Sequence, residues 1–163
     1  MDEITQALFS AARQGNVPVL KEIFHIKEDL NVKDDKGFTP LIIAAYNNRP
    51  EAVLALLEAG ADVNEADHGG NTALMGASFK GYADVVRILI SSGADLDAQH
   101  GNGGTALMFA AMFGRNELVN LLLESGADKN ITDTRGMSAL DLARQQGNTE
   151  GILKLSENTT VVK

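Results

Sequence analysis

The sequence has no cysteine, no tryptophan, only three prolines, and eight aromatic residues (2 Tyr and 6 Phe) among 163. Each shortage removes an option. Without cysteine there are no disulfide staples, no thiolate nucleophile and no Cys-ligated zinc. Bases are outnumbered, 14 Lys and Arg against 22 Asp and Glu, for a formal net charge of -8. Phosphate is held by clustered Lys and Arg, so neither nucleic acid nor an anionic membrane is expected as a partner. No apolar run approaches the roughly 18 residues that span a bilayer. The opening Met1-Asp2-Glu3 is acidic, and Ile4 to Phe9 is broken by Thr5 and Gln6. That is no secretory leader, and the expectation is a cytoplasmic protein. What is present, 44% hydrophobic and 22% charged residues, is globular composition.

The dominant feature is self-similarity. Gly60-Ala61-Asp62 returns as Gly93-Ala94-Asp95 and Gly126-Ala127-Asp128, at a spacing of 33 each time. In the same phase run Gly37, Gly70, Gly103 and Gly136, then Leu41, Leu74, Leu107 and Leu140, then Ala44, Ala77, Ala110 and Ala143. Val53, Val86, Val119 and Ile152 keep the step. The first residues join less cleanly, with Gln6 where a threonine is expected and Lys27 in place of the triplet glycine. Five units result, about 1–33, 34–66, 67–99, 100–132 and 133–157, forming a single domain over 1–157 with a tail at 158–163. Atypical outer units are what capping repeats require.

Local rules build one unit. Thr39, Thr72, Thr105 and Ser138 are N-cap residues, whose hydroxyls accept from free N–H groups of a first helical turn. Pro40 suits the first helical position. The helix is short, ending near Tyr46, Phe79 or Met112. A second helix buries Val53, Leu56 and Leu57 and their repeats, with Pro18 and Pro50 in its first turn. Glycine just beyond it suits a left-handed cap, and Gly37, Gly70, Gly103 and Gly136 suit turns. A helix pair of this size cannot bury its own apolar face, so the units must stack. The predicted fold is an all-α repeat solenoid, a curved stack of about ten short helices with hairpins along one edge.

Asp34-Asp35-Lys36-Gly37-Phe38-Thr39-Pro40-Leu41 and Gly60-Ala61-Asp62-Val63-Asn64 resemble the ankyrin repeat, and the resemblance runs to about Leu155. The family histidine after Pro-Leu is absent, its column holding Ile42, Met75, Met108 and Asp141. Side-chain packing is expected to replace its bonds, with Met as an adaptable filler. Asn48 replaces the glycine between the helices of unit two. Asp141 is expected on a solvated end face.

Chemistry is thinly signalled. His68 and His100 fall at adjacent hairpin tips near Asp67, without the compact spacing of a metal site. The Gly-rich stretches at 68–71 and 101–104 lack the Lys-Ser/Thr ending of a phosphate loop. Asp62, Asp95 and Asp128 are expected to accept local backbone hydrogen bonds. No catalytic constellation can be placed, and no cofactor or metal is expected.

The resemblance implies a non-catalytic protein–protein interaction module, binding a protein partner through a concave face of hairpin tips and first helices. The alternative is a dedicated regulatory, inhibitory or chaperone-like subunit of one enzyme, such as one encoded beside it in a bacterial operon. A small enzyme or metal binder is the third reading. Mapped by the period, the family's contact positions fall on Asp35, Lys36, Phe38, Tyr46 and Asn47 in unit two. Unit three supplies His68, Asn71, Phe79 and Lys80. Units four and five supply Asn102, Met112, Phe113, Arg135 and Met137. Tyr46, Phe79 and Met112 are expected to form a row. A monomer is expected, because the repeat columns use most apolar residues and the net charge opposes self-association.

Overall fold

The computed structural model describes residues 1–157, and the tail assigned to 158–163 lies outside them. Ten helices follow in pairs: α1 (Glu3–Gln14) and α2 (Val17–Phe24), α3 (Pro40–Tyr46) and α4 (Pro50–Glu58), α5 (Ala73–Lys80) and α6 (Ala83–Ser91), α7 (Ala106–Met112) and α8 (Asn116–Glu124), α9 (Ala139–Gln145) and α10 (Thr149–Ser156). Each odd helix packs on the next odd helix and each even helix on the next even one, giving two layers with the core between them.

The caps explain where the helices begin. Thr39, Thr72, Thr105 and Ser138 Oγ accept from the N–H of Ile42, Met75, Met108 and Asp141 at 3.2–3.3 Å. Unit one, lacking that threonine, starts earlier. The Asp2 carboxylate accepts from Thr5 N at 2.7 Å, and α1 runs for 12 residues. That bond holds the Asp2 carboxyl below its ordinary value.

The repeat columns are the core. Leu8, Leu41, Leu74 and Leu107 are buried in the odd layer, and Val53, Val86, Val119, Leu56, Leu89 and Leu122 in the even layer. Fully buried alanines at 44, 77, 110 and 143 let successive helices approach. The histidine column is filled by packing, with Ile42, Met75 and Met108 all buried. Asn48 takes φ +55°, the left-handed conformation that glycine supplies at 15, 81, 114 and 147. Asparagine is the usual non-glycine tolerated there.

The hairpins carry isolated bridges among the described residues, Ala66↔Thr72 and Thr132↔Ser138. One expectation needs correction. Asp141 is not simply solvated. Its carboxylate accepts from Ser138 N and Oγ at 3.0 Å, completing a capping box. The end face is instead marked by exposed Arg144, in the column where Ala12, Ala45, Ser78 and Ala111 are buried.

Hydrogen bonds tie the seams between units at three levels. At the base, Asn31, Asn64 and Asp97 Oδ1 accept from Asp62, Asp95 and Asp128 N at 2.7–2.8 Å. At the hairpin tips, Lys36 O accepts from His68 N at 3.4 Å, Gly69 O from Gly101 N at 2.9 Å, and Asn102 O from Thr134 N at 3.0 Å. At the ends of the odd helices, side chains reach back to the preceding unit. Arg49 Nε donates to Arg13 O, Arg115 Nε to Phe79 O and Asn148 Nδ2 to Ala111 O, at 2.9–3.1 Å. Tyr82 holds that column in unit three, and among the described residues the seam between units two and three has no such clamp.

Candidate protein-binding face

The hairpin tips and the C-terminal ends of the odd helices form one face, and two grooves divide it. The first, of about 380 Å³, lies between units two and three. Its walls include Phe38, Tyr46, Asn47, Asn71, Phe79 and Phe109, and Ile43, Met75 and Gly76 lie beneath them. The second, of about 490 Å³, lies between units four and five and mixes Met108, Met112 and Leu142 with His100, Asn102, Asp133 and Arg135.

Gly76 creates the first groove. Its column reads Ile43, Gly76, Phe109, Leu142, so the missing side chain leaves a notch between two bulky neighbours. The Tyr46 ring lies over that notch. A Cβ added to Gly76 would sit 3.2 Å from Tyr46 Cδ1. Lys80, one turn on, places Nζ 4.9 Å from the centre of the same ring, a distance at which the cation is attracted to the π face.

The aromatic side chains meet in a stagger. Tyr46 and Phe79 are parallel within 9° at 6.5 Å between centroids. Phe79 then turns edge-on to Phe113 at 4.6 Å and to Phe109 at 6.4 Å. Of the expected row of Tyr46, Phe79 and Met112, the first two meet, and Phe79 continues into Phe113 and Phe109. A residue ending one odd helix rests across two positions one turn apart on the next helix (Gly76 and Lys80 under Tyr46, Phe109 and Phe113 under Phe79). Met112 therefore leaves the aromatic run and lines the second groove.

The other anticipated residues divide by place. Tyr46 and Phe113 are each 44% exposed, the largest apolar side chains offered on this face. Asp35, Lys36, Asn47, His68, Asn102 and Arg135 are exposed. Phe38, Met112 and Met137 are half-buried against the core, which uses part of their apolar surface internally. Asn71 is half-buried and donates through Nδ2 to the Asp67 carboxylate at 3.1 Å. Arg135 pairs with Asp133 at 3.1 Å. The N–H groups of Met137 and Arg135 and that guanidinium hold the Asp133 carboxyl below its ordinary value.

Sequence reasoning missed Gly76 and Phe109. The signal for both was the column Ile43, Gly76, Phe109, Leu142, in which glycine interrupts bulky apolar residues. Among the described residues, no three His, Asp or Glu side chains gather as metal ligands. Among them too, no helix is long and apolar enough to cross a membrane. Asp62, Asp95 and Asp128 each accept at Oδ1 from the N–H two residues on, as expected of turn residues.

Paired short helices in two layers, joined by projecting hairpins, define a helical repeat solenoid. The chain belongs to the ankyrin repeat family: the family model for ankyrin repeats (3 copies) matches residues 8–100 and 92–162. A 56-residue stretch is 43% identical to the putative E3 ubiquitin-protein ligase XBAT31 of Arabidopsis thaliana. That match covers 34% of this chain and 12% of the relative. Ankyrin repeats are in general protein–protein interaction modules.

Proposed function

We propose that the chain is a non-catalytic, monomeric module that binds a protein partner through the concave face of its hairpin tips and first helices. One observation carries the reading: the Gly76 notch leaves an apolar groove open to solvent beneath a parallel aromatic pair, half-buried Phe79 and exposed Tyr46. Exposed apolar patches on monomers mark interaction sites. Aromatic anchors in a pocket with a polar rim are what an interface core uses. Here Tyr46 and Phe79 are the anchors, Phe113 extends them, and Asp35, Lys36, Asn47, His68 and Lys80 supply the rim. The partner's anchoring residue is apolar, because the floor of Ile43, Met75 and Gly76 offers no side-chain hydrogen bond.

The test is calorimetric titration of a partner recovered from the source cell. The double change Tyr46→Ala with Phe79→Ala is expected to weaken binding at least tenfold, about 1.4 kcal/mol, with the helical circular-dichroism spectrum unchanged. Unchanged affinity, or an equal loss from Glu58→Ala with Arg87→Ala on the even helices, would move the site elsewhere.

A further inference from the structure

Four hairpins, those of units two to five, precede α3, α5, α7 and α9; numbered by unit, the second, third and fifth close in one way. Asp34, Asp67 and Asp133 each turn Oδ1 inward to accept two backbone N–H groups, two and four residues on. The donors are Lys36 and Phe38, Gly69 and Asn71, Arg135 and Met137, at 2.8–3.0 Å. In the fourth hairpin the column holds His100. Its Nδ1 accepts from Asn102 N at 2.8 Å, and no second N–H reaches it. The backbone frame is otherwise the same. His100 N donates to Gly104 O and Gly103 N to His100 O, as Asp34 N does to Phe38 O and Gly37 N to Asp34 O.

The larger ring is accommodated by a second departure. Where the other hairpins carry Phe38, Asn71 and Met137, this one has Gly104. A Cβ there would lie 2.9 Å from His100 Nε2. The imidazole also packs against Phe109 at 5.3 Å. Histidine and glycine thus act as a pair that rebuilds the turn around a different acceptor.

The acceptors differ in chemistry. A neutral imidazole accepts at Nδ1 only when its proton is on Nε2, and an imidazolium has two donors and no acceptor. Ordinary imidazoles gain a proton near pH 6.5, carboxylates only near 4. We propose that the fourth hairpin is a pH-operated latch, closed by neutral His100 and released when the ring is protonated, while the three aspartate-closed hairpins stay shut.

The surroundings do not short-circuit it. The rest of this hairpin, Gly101 to Gly104, and the adjoining helix α7 carry no charge. The third hairpin brings Asp67 and His68, and the Asp67 carboxylate is occupied by Gly69, Asn71 N and Asn71 Nδ2. The fifth brings Asp133 and Arg135, which pair with each other. Neither carboxylate is left idle to hold an imidazolium in place. Release reaches beyond the turn. Gly101 N and Asn102 O make the tip bonds to the third and fifth hairpins, and His100 and Asn102 wall the second groove.

The latch is tested on the free protein, with no partner. Imidazole nitrogen NMR at pH 7.5 is expected to show His100 as the Nε2–H tautomer. Amide hydrogen exchange, corrected for its intrinsic pH dependence, is then compared at pH 7.5 and 5.2. Protection at Asn102 is expected to fall at least tenfold, and at Lys36, Gly69 and Arg135 less than twofold. His100→Asp is expected to abolish the fall. An Nδ1–H tautomer at pH 7.5, unaltered protection at Asn102, or a fall that persists in H100D would each overturn the latch.

Discussion

Helices α5 and α7 are copies of one element, 33 residues apart, and they are built to different ends. Both begin at a threonine cap and bury the same Ala, Leu and Met positions. Two of the remaining columns hold Phe109 and Ala111 in α7, and Gly76 and Ser78 in α5. Mid-helix glycine costs about 0.5–1 kcal/mol against alanine. Ser78 is fully buried and its hydroxyl has no hydrogen-bond partner, a further cost of about 1–3 kcal/mol. The copy with the poorer helix is the one that carries the notch and the aromatic pair. A repeat frame lets one unit give up local stability for a surface feature while its neighbours hold the stack together.

The largest test concerns the frame the two copies share. Leu89 and Leu122 are equivalent and fully buried beneath α5 and α7. Alanine at either is expected to cost about 2–5 kcal/mol in denaturant unfolding. A loss below about 0.5 kcal/mol, the range of ordinary surface changes, would mean that the even-layer column is not the core. A large difference between the two would mean that the units do not share one frame.

Next comes a reciprocal exchange. Ser78→Ala is expected to raise stability by about 1 kcal/mol, and Ala111→Ser to lower it by a similar amount. Destabilisation by Ser78→Ala would show that the hydroxyl has found a partner, and the contrast between the helices would shrink.

The smallest effect is at the notch. Gly76→Ala gains helix propensity of about 1 kcal/mol, but its Cβ would press on the Tyr46 ring at 3.2 Å. The exposed ring can shift, so a net gain of about 0.5 kcal/mol is expected, with a displaced Tyr46 ring signal in NMR. A full gain with that signal unmoved would mean that the ring does not rest on Gly76.

Much of this was legible in the sequence because a repeat states its rules several times. The threonine caps, the Pro40 and Pro50 starts and the glycine turns each depend on neighbours within a few residues. Columns of Leu, Val and Ala report the core because every unit buries the same face. The stagger that sends Phe79 to Phe113 and leaves Met112 aside was not legible, because it depends on how far one helix slides past the next. Phe109 and Gly76 act across a seam, where no period announces which side chain will lean on which. His100 drew attention as a metal ligand, whereas its ring replaces a carboxylate within its own turn. The Asp141 capping box was missed although its Ser-x-x-Asp spacing stood in plain view, because an acidic residue at the end of an array also suits open solvent.

The clamps at the ends of the odd helices fasten the rim of the face at three of the four seams. Among the described residues the seam between units two and three lacks the clamp that the other three seams have, and its tip bond, at 3.4 Å, is the longest of its series. Its base remains tied through Asn64 and Asp95 at 2.7 Å. The helices on either side of this seam pack on each other in both layers, so what the missing clamp frees is the rim alone: the odd-helix ends that wall the first groove meet there through side-chain packing, with no side-chain hydrogen bond to fix their spacing.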